Sequence, residues 1–136
     1  MVREIVRDPI FLAQRAKPAG AGDIDVVRDL RDTLAANIDR CVGMAANMIG
    51  KNVAIITIFE GGAIMVMLNP EIVEKSGEYE TEEGCLSLSG VRKAKRFREI
   101  TVRYQDAKWN RRVRRLSGFP APIVQHEVDH LNGVLI

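Results

Sequence analysis

The chain has 136 residues, 46% of them hydrophobic and 28% charged, with a formal net charge of +2. That length suits one domain, residues 1–136, with a real core, and no stretch approaches the roughly 20 apolar residues of a membrane span. Residues 1–8 lack the apolar core of a secretory leader, so the two cysteines read as free thiols of a cytoplasmic protein rather than as a disulfide scaffold.

In chain order, residues 18–22 are all Pro, Ala or Gly and read as a loop. Asp23 is the expected N-cap of an amphipathic helix over 25–40, in which Val26, Val27, Leu30, Leu34 and Ile38 recur at helical spacing. The β-branched run 53–59 predicts a buried strand. Gly61-Gly62 turns the chain into a hairpin partner over 63–68, which Asn69-Pro70 is expected to end. Residues 71–76 are expected to be extended. Ile100, Val102 and Tyr104 alternate with polar residues and predict a half-buried strand. Gly118 and Pro120 introduce a last helix that stops at Asn132-Gly133. Strands and helices mix without βαβ alternation, which predicts an α+β fold: small antiparallel or mixed sheets packed around the C-terminal helix.

Charge is unevenly spread. From Glu71 to Glu83 there are six acids and one base, and from Arg92 to Arg115 eleven bases and two acids. Such a basic segment suits RNA or a ribosome. No nucleic-acid motif or aromatic ladder accompanies it, so we read it as a solvated strand face and edge, and expect no specific nucleic acid.

The last helix carries His126-Glu127-Val128-Asp129-His130. Residues four apart share one helical face, so both imidazoles reach one metal ion, and Glu127 lies where it can take a proton from water. The alternative is a pair of surface histidines. A catalytic site of this kind needs three protein ligands and an open position. With no third histidine, the remaining ligand is a cysteine or a carboxylate, and spacing alone does not choose between Cys41 and Cys85. A buried structural thiol is the alternative for either. One thiolate and two imidazoles would suit zinc.

Three segments in this order resemble the peptide deformylases, which remove the formyl group from the starting methionine of new proteins. They are Val42-Gly43-Met44-Ala45-Ala46-Asn47-Met48-Ile49-Gly50, Glu83-Gly84-Cys85-Leu86-Ser87 and Gln125-His126-Glu127-Val128-Asp129-His130-Leu131-Asn132-Gly133. The resemblance runs from Arg3 to the end of the chain. It implies that Cys85, His126 and His130 are the metal ligands, with Fe2+ as the usual ion and Zn2+, Ni2+ or Co2+ able to replace it. It implies that Glu127 is the general acid/base and that the Leu86 backbone N–H donates to the oxyanion. For the substrate it implies contacts from Val42, Gly43, Met48, Gly84, Phe119, Pro122 and Ile123, with the Val42 and Gly84 backbones pairing to the peptide. Plain core packing is the alternative for the apolar side chains. The expected partners are formyl-methionyl nascent peptides, with transient ribosome contact.

The sequence departs from that family at several points. Met48 stands where the family has a glutamine whose amide donates to the oxyanion, and a thioether has no N–H. Losing one such donor typically costs about 2.7–4 kcal/mol, so a slow deformylase is expected. The alternative is a catalytically weak deformylase-like protein that binds metal and peptide. Cys41 replaces a usual glycine, and Ser89 a frequent proline. The C-terminus lacks the further helix of many relatives, which in some contributes to ribosome docking. Arg96 and Asp129 are a candidate pair for orienting the metal helix, or else a surface contact of little weight.

Overall fold

The computed structural model describes residues 1–136. Its centre is a five-stranded antiparallel sheet of sequential order, β1 (Gly43–Ala45), β2 (Ile55–Glu60), β3 (Ala63–Cys85), β4 (Leu88–Gln105) and β5 (Arg111–Ser117). Three helices accompany it: the short α1 (Pro9–Leu12), α2 (Ile24–Ala36) and α3 (Pro120–Leu131). This is the expected α+β arrangement, with a single antiparallel sheet.

Helices α2 and α3 both pack against β1 and β2. Ile55, Ile56, Thr57 and Ile58 are consequently all buried, which is why the strand reads as a continuous β-branched run rather than an alternation. Leu30 and Leu34 from α2, Met44, Met67 and Val124 belong to the same core.

The structure corrects several expectations. Helix α2 ends at Ala36 rather than at residue 40. Asp23 does not cap it with its side chain; its Oδ2 instead accepts from the Gly20 N–H at 2.8 Å and closes a 3-10 turn over Ala21–Asp23. Asn69-Pro70 does not end β3. Asn69 adopts a φ of 51° inside a register shift between Leu68 and Glu71, so the turn-forming pair is absorbed as a bulge. The Asn69 amide holds the loop before α2, accepting from the Ala19 N–H at 2.8 Å. Strand β5 and helix α1 escaped the sequence reading altogether.

The charge asymmetry has its explanation in the β3–β4 ribbon. The acidic strand faces the basic one, with Glu71 opposite Arg103, Glu80 opposite Lys95, Glu82 opposite Lys93 and Glu83 opposite Arg92. Opposite charges across an antiparallel pair favour the register. The basic residues of β4 are thus a strand face matched to its neighbour. The arginines of β5 remain on the sheet edge, where charge discourages pairing with another strand.

Candidate metal centre

The β3–β4 ribbon turns at Leu86-Ser87, so Cys85 sits at its tip, paired with Leu88. Helix α3 approaches that tip with its histidine face. The helix starts with Pro120 at its first position, where a missing N–H costs nothing. It ends in a closed C-terminal motif: Val134 N–H donates to the Asp129 carbonyl at 3.0 Å and Gly133 N–H to the His130 carbonyl at 3.1 Å, with Gly133 at φ 77°. Asn47 adds an amide N–H to the His130 carbonyl at 3.0 Å. The C-terminal end of the helix is therefore fixed.

The ligand atoms of Cys85, His126 and His130 all lie within 4.8 Å of one another. Cys85 Sγ is 3.3 Å from His130 Nε2, and the two histidine Nε2 atoms are 3.1 Å apart. The Glu83 carboxylate takes His126 Nδ1 at 2.8 Å. In the neutral ring that bond places the proton on Nδ1 and turns the Nε2 lone pair inward. Three atoms able to donate an electron pair thus converge on one point. The His130 ring is fully buried and its Nδ1 has no partner. This donor set fits a divalent transition metal; Cys41 is not part of it.

The electrostatics agree. Burial works against the charged form of His126, yet the Cys85 sulfur and Glu83 outweigh it and hold its pKa well above the usual histidine range. Burial, then the neighbouring His126, drives His130 the other way. Burial also raises Glu127 to about 7. Its Oε1 is buried without a hydrogen-bond partner. Cys41, by contrast, is pushed by burial and by Glu127 to about 12 and stays a neutral thiol.

Behind the histidines lies a buried charge relay that sequence reasoning saw only in part. Arg96 is 4% exposed. It grips Glu83 through Nε at 3.0 Å and Nη2 at 2.6 Å and reaches Asp129 at 2.8 Å. The Arg96–Asp129 pair therefore joins a buried guanidinium to a half-buried carboxylate. Glu83 itself went unnoticed. The available signal was strand alternation: residues 83 and 85 share one face, so an acid two before the cysteine had to point at the same centre.

A cavity of about 460 Å³ opens over the cluster. Of the expected substrate residues, Val42, Gly43, Met48, Gly84, Pro122 and Ile123 line it, as do Leu86 and Glu127. Phe119 does not; it is 60% exposed at the start of α3 and stands outside the lining. Gly43 is tightly enclosed: a Cβ there would lie 2.6 Å from Ile123 Cγ2 and 2.9 Å from Glu127 Oε2. Met48 is 1% exposed, with Sδ 3.5 Å from the Ala45 N–H.

A thiol and two imidazoles beside a buried, proton-ready carboxylate, at the floor of an open slot, define a metal-dependent hydrolase. Comparison with known proteins narrows this. The family model described as polypeptide deformylase matches residues 2–136. A peptide deformylase of Clostridium beijerinckii is 47% identical over the whole of both chains, and one from Dictyoglomus thermophilum is 40% identical over all of this chain and 91% of its own. The crystal structure of the Thermotoga maritima peptide deformylase superposes with a TM-score of 0.88 at 32% identity, covering 99% of this chain and 95% of that one. A class I type b peptide deformylase from Acinetobacter baumannii, solved with Met-Ala-Ser bound, gives the same TM-score at 29% identity over 99% and 97% of the two chains. The chain belongs to the polypeptide deformylase family. Members are metalloenzymes that hydrolyse the N-formyl group from nascent peptides, and this reading is favoured over a catalytically weak binding protein. No helix is long and apolar enough to cross a membrane.

Proposed function

We propose that residues 1–136 act as one cytoplasmic deformylase unit in which Cys85, His126 and His130 hold Fe2+, replaceable by Zn2+, Ni2+ or Co2+. The observation that carries this reading is the convergence of the three donor atoms beside the unpartnered Glu127 Oε1. When bound, the cation supplies Lewis acidity that polarises the formyl carbonyl and lowers the pKa of water.

The chain's own residues do the rest. Glu127, with its carboxyl poised near neutrality by burial, takes a proton from the attacking water and passes it to the leaving amine nitrogen. The Leu86 N–H donates to the carbonyl oxygen as charge develops there. Formate and a free methionyl N-terminus result. Val42, Gly43, Gly84, Pro122 and Ile123 receive the formyl-methionyl end; the Met-Ala-Ser complex of the Acinetobacter baumannii relative supports a methionyl peptide in this cavity. Phe119, outside the lining, is left out of this set.

Met48 removes one donor. Its thioether only accepts, so turnover is slower by roughly 100–1000-fold than with a glutamine amide at that position. For partners we add transient contact with the ribosome, supported by the arginines exposed along the β5 edge.

Two measurements test this reading. Metal analysis of anaerobically purified protein gives about one ion per chain, lost in Cys85→Ser; no metal in the parent protein contradicts it. Formate release from a formyl-methionyl peptide rises by at least about tenfold in Met48→Gln. An unchanged rate means that another donor already serves the oxyanion.

A further inference from the structure

The mouth of the cavity carries charge that the hydrolysis does not use. Arg40 lines it directly. Arg7 reaches the same rim from the N-terminal segment, its Nη1 donating to the Leu86 carbonyl at 2.9 Å. The segment is held there because Val6 N–H donates to the Met48 carbonyl at 2.8 Å. Leu86 and Met48 both line the cavity.

Both guanidiniums are exposed, and neither has a carboxylate partner. Arg40 Nη2 donates to the neutral amide oxygen of Asn37 at 2.5 Å, and Arg7 donates to a backbone carbonyl. Their acidic chain neighbours do not neutralise them: Asp8 accepts from the Ile10 N–H, and Asp39 forms no ion pair with Arg40. Inside the lining the carboxylates are Glu83, already engaged by Arg96, and Glu127, buried at the floor. The slot is therefore cationic at its mouth and its acids are held inside.

We propose that Arg7 and Arg40 form an electropositive rim that selects peptides bearing an acidic side chain downstream of the formyl-methionine and disfavours lysine or arginine there. The proposal rests on the deformylase reading above. A peptide whose formyl group reaches Glu127 must leave through this mouth, so the side chains after methionine pass the two guanidiniums. Each exposed ion pair is worth up to roughly fivefold. The combined preference for Glu over Lys is expected to be about tenfold at low salt and to shrink strongly at ionic strengths near 1 M, where the screening length falls to about 3 Å.

The test compares kcat/KM for three formyl-methionyl peptides that differ only in carrying Glu, Gln or Lys downstream. The parent protein, Arg7→Glu, Arg40→Glu and the double variant are all measured. Calorimetric binding of the matching deformylated peptides runs in parallel. The parent is expected to rank Glu above Gln above Lys. Relative to its own rate on the Gln peptide, each single variant loses part of that spread and the double variant inverts it. Equal kcat/KM on all three peptides in the parent, or a spread that is undiminished in both single variants, overturns the rim. If no peptide releases formate, the deformylase reading itself has failed, and the binding data decide the rim alone: equal affinities overturn it, tighter binding of the Glu peptide supports it.

Discussion

Gly43 shows how closely the Glu127 carboxylate is confined. Its backbone is ordinary extended strand, so glycine is needed for space rather than for a left-handed conformation. Ile123 and Glu127 occupy the volume a methyl group would fill. Gly43→Ala is therefore expected to displace Glu127 and lower kcat by roughly 10–100-fold, since displacements near 1 Å cost that much; steady-state formate release measures it. An unchanged kcat would show that the carboxylate tolerates movement. Glu83 makes a different contribution. It fixes the His126 tautomer and neutralises the buried Arg96. Glu83→Gln is expected to weaken metal affinity by roughly 10–100-fold, read by competition with a chelator. Unchanged affinity would assign Glu83 a purely structural part.

Two elements bring the ligands together, and each is fixed at a particular point. Helix α3 depends on Gly133. There the φ of 77° already disfavours any side chain, and a Cβ would meet the Ala13 carbonyl oxygen at 2.3 Å. Gly133→Ala is expected to cost about 1–3 kcal/mol from backbone strain alone, with a further overpacking cost of similar size. Thermal unfolding would register this as a fall in Tm of several degrees; an unshifted Tm would mean that the chain after α3 rearranges freely. The β3–β4 ribbon carries the Cys85 sulfur and the Leu86 N–H together at one tight turn. Cross-strand pairing of acids with bases favours the register of the ribbon up to Gly84, and a register shift between Gly84 and Cys85 then leads into the turn.

At the scale of the molecule, the histidine motif was legible because helical spacing converts directly into geometry, and the β2 run because burial on both faces leaves a continuous apolar signature. The extent of β3 was not legible. Asn69-Pro70 carries the chemistry of a turn, yet β3 pairs with β4 on both sides of it, and Asn69 is held by long-range contacts with Ala19 and Gln105. Strand β5 was hidden for a related reason: Leu116 is its single buried residue, so no alternation survives among the arginines. Glu83 was missed because its role exists only once strand and helix meet. The choice of Cys85 over Cys41 followed from family resemblance, and the geometry of the three donor atoms supports it independently. The proposed function requires Glu127 to move the proton in a hydrolysis organised by Cys85, His126 and His130. Formate release from a formyl-methionyl peptide by the anaerobically iron-loaded protein, run beside Glu127→Ala, tests it most directly. Measurable turnover is expected in the parent and a loss of at least about 100-fold in the variant; equal formate release from the two would remove Glu127 from the proton transfer.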